Sequence, residues 1–364
     1  MITVDAKGIQ YERLISVECG ASLGALVRDF TIVIARPNDR AIPFTGGEAV
    51  KIVIDNELFI DGNIFRVTPG YNKEGHTITM TGRSKAANFI DSSLLPFSIL
   101  TDISLEAAIQ KALTQLKSTL SIVNNVSGLA DFSQTEDKIG ASVGENAFEY
   151  ANKLALKRQV LLTSDALGNI VIDRTGTEEL NVTLTNLFGG GGNIIDGSAS
   201  YDLSRRYDKY FVQSQLNESA SVFAGSLNPE ESVNQVGSAE DQTMIDFGLN
   251  RQLVKKAEKS SSSEQCQSRA TWEGNIRRAK SRDYSVTVQG VRPKGGKIWE
   301  INKLVPVNDE YAGLNEIMLT DSVRFHQSRS GGTLSKLSLV DRNSYNVSLQ
   351  EPPPVEKKDS PFGI

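Results

Sequence analysis

Val50-Lys51-Ile52-Val53-Ile54 is followed by Asp55-Asn56, then Leu58-Phe59-Ile60, Asp61-Gly62 and Asn63-Ile64-Phe65-Arg66-Val67. Apolar and polar residues alternate in short runs with turn-forming pairs between them, the pattern of half-buried strands joined by tight connections. Asp55-Asn56 reads as one turn and Asp61-Gly62 as the next. Upstream, Phe30-Thr31-Ile32-Val33-Ile34 has the same character. Downstream, beyond a Lys73-Glu74-Gly75 turn, His76 to Thr81 sets Ile78 and Met80 on one face and threonines on the other. The opening of the chain is therefore an antiparallel β module.

The period then changes. Behind Ser104, an N-cap residue type, Leu105, Ala108, Ile109, Ala112, Leu113 and Leu116 recur at helical spacing. Ser142-Val143-Gly144-Glu145 has the form of a capping box and announces a second helix, striped by Phe148, Ala151 and Ala155 and ending near Arg158. Val160 to Thr163 and Ile170 to Ile172 flank a turn and read as a hairpin, so this region is mixed. Phe188 to Gly197 is glycine-rich, which suggests a domain crossing near 190–205, and Tyr207 to Gln213 returns to strand-like composition.

Residues 217–242 are rich in Ser, Asn, Glu and Gly and predict no regular structure. A helix is expected over Ser263 to Lys280, with Trp272, Ile276 and Ala279 on its apolar face. The last part returns to strands: Tyr284 to Val291, Ile298 to Val307, Asn315 to Phe325 and Thr333 to Val340, the final two joined through Ser328-Arg329-Ser330-Gly331-Gly332. The tail from Glu351, with three consecutive prolines, cannot enter a sheet.

Composition bounds the function. A chain of 364 residues is long enough for several cores. With 39% hydrophobic residues, 23% charged residues and no long apolar run, it reads as a soluble globular protein. The first residues, Met1 to Gln10, carry neither a basic start nor an apolar h-region, so synthesis in and retention by a cytosol are expected. A net charge of -5 and a pI near 5.4 argue against a dedicated nucleic-acid binder. Cys19 and Cys266 read as buried small hydrophobes instead of a disulfide.

Chemistry-bearing patterns are sparse. His76 and His326, the only histidines, lie in alternating strand segments and not at ligand spacing with Cys, Asp or Glu, so neither a metal site nor a nucleophile with an imidazole base is indicated. Gly189 to Gly192 lacks the Gly-Lys-Ser/Thr of a phosphate cradle and reads as a flexible crossing. Lys255, Lys256 and Lys259, with Arg277, Arg278, Lys280 and Arg282, could line a DNA passage or meet an acidic partner, although a solvated helix face explains them as well. Trp272 and Trp299 read as core anchors. Paired carboxylates leave almost no trace in a sequence, and 44 acidic residues are available, so a cell-wall or polysaccharide hydrolase stands as an alternative.

Certain segments carry a resemblance. Ile15-Ser16-Val17 to Phe30-Thr31-Ile32, Gly46-Gly47-Glu48, Ile60-Asp61-Gly62 and Thr79-Met80-Thr81-Gly82-Arg83-Ser84-Lys85 form one group. Ala270-Thr271-Trp272-Glu273 with Arg277-Arg278-Ala279, the run Trp299 to Val307 and Gly331-Gly332-Thr333 form another. In this order the chain resembles the phage Mu-type baseplate hub family, related to the late control protein D group and to the hub part of type VI secretion spike proteins. The resemblance implies an α+β, mainly β multidomain fold with two similar antiparallel β-barrels and a mixed domain. It divides the chain into a first barrel at 1–95, an α+β domain at 96–199, a second barrel at 200–216 and 284–350, a loop and helical insertion at 217–283, and a tail at 351–364.

It further implies a non-enzymatic homotrimer in the virion, in the tail baseplate, made in the host cytoplasm. Three chains with two barrels each would imitate a sixfold ring, joining the tail tube and other baseplate proteins to a threefold central spike, with DNA passing through unread. It carries no catalytic, cofactor-binding or metal residue and leaves the interface residues unknown. The hub of a contractile bacteriocin or type VI-like apparatus is a further alternative.

Overall fold

In the computed structural model, residues 1–11, 14–36, 44–73, 75–99, 102–133, 139–214, 236–257 and 263–345 are described. The tail at 351–364, Lys259 and residues 217–235 of the polar stretch at 217–242 lie outside these described residues. The chain divides into two units, one of Met1–Arg205 with Ala279–Arg342 and one of Arg206–Arg278 with the C-terminal remainder.

The first unit opens with β1 (Ile2–Ala6), β2 (Ile9–Tyr11), β3 (Leu14–Ser22), β4 (Ala25–Arg36), β5 (Ala49–Ile54), β6 (Glu57–Asn72) and β7 (Gly75–Ser84). All pair antiparallel, in the order β3-β4-β7-β6-β5-β1-β2. The Asp55-Asn56 turn forms as expected, with both residues at positive φ. Asp61-Gly62, however, is no turn, because β6 runs straight through it. Gly62 is needed for contact: a Cβ there would lie 2.1 Å from the Arg83 carbonyl oxygen of β7. The buried Asp61 carboxylate is held by Lys85 Nζ at 2.6 Å.

The mixed region follows: α1 (Ala87–Ile90), β8 (Phe97–Ser98), α2 (Leu105–Gln115), β9 (Ile122–Asn124), β10 (Gly140–Ala141), α3 (Ala147–Lys157), β11 (Leu161–Ser164) and β12 (Ile170–Asp173). Ser104 caps α2 by accepting from the Ala107 amide at 3.2 Å, and the predicted stripe Leu105, Ala108, Ile109, Ala112 and Leu113 is buried. In α3 the cap moves. Ser142 and Glu145 bond as in a capping box, Ser142 N donating to the Glu145 carboxylate at 2.8 Å, but they shape the preceding turn. Asn146 is the N-cap, its side chain accepting from Phe148 N at 2.8 Å and Glu149 N at 3.3 Å. Its short amide reaches the first free helical N–H groups, which suits an N-cap as well as Ser does. A core of Phe89, Leu113, Phe132, Tyr150 and Leu154 unites these helices with the β11-β12 hairpin and with Leu26 from β4.

The chain then supplies β13 (Leu184–Asn186) and β14 (Ile194–Tyr201) before leaving the unit. The second unit contains β15 (Lys209–Gln213), β16 (Val236–Glu240), α4 (Gln242–Asp246), β17 (Gln252–Lys256) and α5 (Ser263–Lys280), whose last residues return to the first unit. There the closing strands are β18 (Arg282–Gln289), β19 (Leu304–Asp309), β20 (Leu314–Ser328) and β21 (Gly332–Asp341).

Several expectations are corrected here. Residues 209–213 do not join the closing strands: β15 forms a separate three-stranded sheet between β16 and β17. Its alternation specified a strand but not a partner, and the nearby backbone of Arg251 and Asp241 bonds Asp208 at 2.9 and 2.8 Å. β14, expected in the mixed domain, instead pairs with β18. Val236 to Glu240, read as irregular, is β16. On α5 the buried residues include Cys266, Ala270, Glu273 and Ala279, while Trp272 and Ile276 are half-buried. Close packing selects that face, since a Cβ on Gly237 of β16 would fall 2.1 Å from the Cys266 backbone. Ile298 to Ile301 lies outside any strand, although Trp299 is buried in the large β core.

Candidate assembly interface

The closing strands repeat the opening ones. In the first module the pairing order is β3-β4-β7-β6-β5, and in the second it is β14-β18-β21-β20-β19, so β3 corresponds to β14, β4 to β18, β5 to β19, β6 to β20 and β7 to β21. The registers share two bulges, although β3 shifts again between Gly20 and Ser22 and β5 between Ile52 and Val53 without a counterpart. β6 bulges between Ile64 and Arg66 against β7, as β20 does between Thr320 and Ser322 against β21. β3 bulges between Leu14 and Ser16, as β14 does between Ile194 and Asp196. Because a bulge shifts every later side chain to a defined face, matching bulges align the modules residue by residue. Phe30, Ile32 and Ile34 of β4 thus correspond to Tyr284, Val286 and Val288 of β18, and all six are buried.

The two modules are joined as one 13-stranded sheet by a single pairing, β20 against β3. Residues Ser322–Ser328 run antiparallel to Ser16–Ser22, and Leu23 N and Arg329 N extend the ladder to Asp321 O and Ile15 O at 2.8 and 3.1 Å. Val323, Phe325, Val17 and Cys19 are buried there. On the outer face, Arg324 forks onto Asp29 at 3.0 and 3.1 Å and reaches Glu18 at 3.1 Å. The bonds to Asp29 raise the already high pKa of this guanidinium against the opposing effect of its burial, and Glu18 adds to the rise.

Among the described residues, the corresponding stretches in the other pair of strands are paired on one side only. β5 accompanies β6 only as far as Asn63, and among the described residues no strand covers that flank of Arg66–Asn72. β14 ends the sheet order and, among the described residues, is paired on its β18 side alone. Exposure follows: Val323 and Phe325 are 1% and 0% exposed, whereas Tyr71 on the β6 edge is 82% exposed and Tyr201 on the β14 edge 55%. Phe65 and Ile195, each at a bulge, are exposed too. An unpaired strand edge carrying exposed aromatic residues is a template for another strand.

The β14 edge is rigidly held. Buried Asp309 at the end of β19 accepts from the Tyr284 hydroxyl, from Asn186 Nδ2 at 3.0 Å and from Ala312 N at 3.0 Å. Burial alone would raise this carboxyl, but the Tyr284 hydroxyl and the neighbouring amide donors outweigh it and hold Asp309 below the usual carboxylate range. Burial, with the same contact second, pushes the Tyr284 phenol up. The turn so fixed displays Tyr311, 85% exposed, and its Glu310 accepts from Phe188 N at 2.6 Å. Gly189 to Gly192 therefore forms a tight turn from β13 to β14, where a Cβ on Gly192 would lie 2.2 Å from Thr185 O.

The remaining candidates are scattered. His76 stacks on Tyr71, and His326 Nδ1 lies 4.0 Å from Glu18. Among the described residues no cluster of His, Cys, Asp and Glu could hold a metal. Cys19 and Cys266 are free and buried. Lys255 pairs with Glu273 at 2.7 Å, Arg278 with Asp241 at 3.5 Å and Arg282 with Glu316 at 2.7 Å, while Arg277 lies over the Tyr207 ring. Carboxylates thus answer several of the basic residues that could have faced DNA. Trp272 lies under Arg269, with the guanidinium 4.2 Å from its ring centre. The edges themselves were missed because their only sequence signal is the internal repeat, which survives in register and not in residue identity.

This architecture is that of phage tail proteins. A 43 kDa tail protein of prophage MuSo2 from Shewanella oneidensis superposes with a TM-score of 0.79 at 27% identity, covering 94% of this chain and 98% of that one. A tail protein from Neisseria meningitidis has the same fold, with a TM-score of 0.79 at 19% identity over 94% and 97% of the two chains. A component of the E. coli type VI secretion system shares it more distantly, with a TM-score of 0.56 at 8% identity over 93% and 76%. Residues 1–84 match the family described as Mu phage baseplate assembly protein GpP-like, N-terminal, and residues 262–348 match Mu phage baseplate assembly protein GpP, fourth domain. The chain is a Mu-type phage baseplate protein, and its fold is shared by a type VI secretion component. No curated protein matches its sequence.

Proposed function

We propose that this protein is the hub of a contractile tail's baseplate, a non-enzymatic homotrimeric adaptor in the virion. It would join a sixfold tail tube to a threefold central spike and leave a passage for DNA. The observation that carries the reading is the repeat of one strand order and bulge pattern in two modules of one chain. Three copies supply six like modules, so one surface can meet sixfold symmetry while the chain itself obeys threefold symmetry. Paired edges and closely packed sheets make rigid blocks, which suits a joint that transmits contraction. No residue is assigned a catalytic part.

The test is the mass of the purified full chain by light scattering, alone and with its spike. The expected result is three times the 39.6 kDa protomer, with a threefold ring of six lobes by electron microscopy. A protomer that stays monomeric at high concentration with its spike present sinks the reading. The likeness to a type VI component supports a second reading, a hub in a secretion apparatus or contractile bacteriocin. Capsid genes beside this one distinguish the phage case. Zymography against peptidoglycan and surface polysaccharide is expected to show no clearing, and activity abolished by one Asp or Glu substitution would establish the hydrolase instead.

A further inference from the structure

We infer that neighbouring copies of this chain are stitched by an intermolecular strand pair, β6 of one copy running antiparallel to β14 of the next in the register of the intrachain β20-β3 pair. The inference rests on the trimeric reading and adds the partner, the strands and the register.

The chain already contains one worked example of how a second-module strand meets a first-module strand. Ser322 to Ser328 of β20 lie opposite Ser22 to Ser16 of β3. The matched bulges carry β20 onto β6 and β3 onto β14, so 322–328 maps onto 66–72 and 16–20 onto 196–200; the unshifted β20-β3 ladder, carried two residues further, sets 21–22 on 201–202. If the junction between copies imitates the junction within a copy, Arg66 faces Asp202, Val67 faces Tyr201, Thr68 faces Ser200 and Tyr71 faces Gly197. Among the described residues these are the stretches without a strand on one side, and the occupant that fits both at once is a second copy.

Backbone and side chains agree with this register. Asp202 N donates to Ser281 O, so the even-numbered groups of β14 face β18 and those of Gly197, Ala199 and Tyr201 face outward. Past the bulge in β6 the outward groups belong to Val67, Pro69 and Tyr71, the residues that would meet them. Pro69 has no N–H, so the ladder lacks one bond at that position, and a proline there also discourages pairing with unrelated edges. Arg66 opposite Asp202 places opposite charges across the pair. The exposed Tyr71 ring would cover the bare backbone of Gly197, which has no side chain to obstruct it.

The test is disulfide trapping in the full chain. Thr68 and Ser200 fall at a non-hydrogen-bonded position, where antiparallel Cα atoms approach to about 4.5 Å, within the range a disulfide spans. Both are exposed, so Thr68→Cys with Ser200→Cys leaves the fold intact, and native Cys19 and Cys266 are buried. Mild oxidation of the double variant should convert most of the protein into covalent trimer on a non-reducing gel. The offset pair Thr68→Cys with Asp196→Cys should give at least tenfold less.

Trimers by light scattering with no cross-link at 68 and 200, or with equal cross-linking of the offset pair, would overturn the register while leaving the trimeric reading intact. A cross-link confined within one chain would overturn it as well. A protomer monomeric under all conditions would overturn both.

Discussion

Truncating Phe325 to alanine should unseat the joint between the two modules. The side chain is fully buried where β20 meets β3, opposite Cys19, and its ring meets that of Phe59 edge-on, with centroids 5.1 Å apart and planes at 87°. Removing a buried phenylalanine ring costs about 3–5 kcal/mol, because the transfer free energy is lost and the cavity closes only in part. The edge-to-face contact accounts for about 0.5–1.5 kcal/mol of that. With a urea m-value near 3 kcal/mol/M for a protein of this size, the midpoint should fall by about 1–1.7 M. The assay is urea unfolding followed by far-UV circular dichroism and by the fluorescence of Trp299, which is buried in the same core. Phe59→Ala completes a double-mutant cycle. A loss under about 1 kcal/mol, or costs of the two truncations that add to within about 0.5 kcal/mol, would show that the joint is held by its backbone ladder and the Arg324 fork instead.

Asn146→Ala should cost about 1 kcal/mol of stability in thermal unfolding while Ser142→Ala costs less, since Asn146 holds the first amides of α3. Tyr284→Phe should cost about 1–3 kcal/mol by leaving the buried Asp309 carboxylate without its hydroxyl donor. Acid unfolding should feel Glu48, whose carboxyl is raised by burial but brought down from 4.5 to about 2 by the Thr45 and Gly46 amides and by Lys7. A carboxyl depressed on folding stabilises above its unfolded pKa and loses that contribution as pH falls through the folded value. Glu48→Gln should therefore flatten stability between pH 4.5 and about 2. Cys19, whose thiol is pushed up chiefly by burial, should resist a thiol reagent until denaturant is added, and so should Cys266.

The local elements were legible because their causes are local. Alternation at Ile78 and Met80, the Asp55-Asn56 turn, the stripe behind Ser104 and the extent of the helix from Ser263 to Lys280 each follow from a few neighbouring residues. What misled was chemistry with two uses. Asp61-Gly62 has the composition of a turn, yet the glycine serves the close approach of Arg83 and the aspartate pairs with Lys85. Trp272 and Ile276 marked an apolar face on α5, but the small residues Cys266 and Ala270 allow the closer contact with β16 and are the ones buried.

Sequence alone determined that this chain is mainly β, interrupted by helices, because side-chain periodicity and capping act over a few residues. Which strand meets which was decided only in three dimensions. β20 finds β3 across some three hundred residues, β15 leaves for its own sheet, and β14 is recruited to the second module across an entire inserted unit. Hydrogen-bonded ladders are nearly blind to side-chain identity, so strand partners leave little trace in the sequence. For the same reason the repeated module persists as matched bulges and buried positions, Phe30 with Tyr284 and Ile32 with Val286, and the exposed edges that assembly would use are visible only once those registers are known.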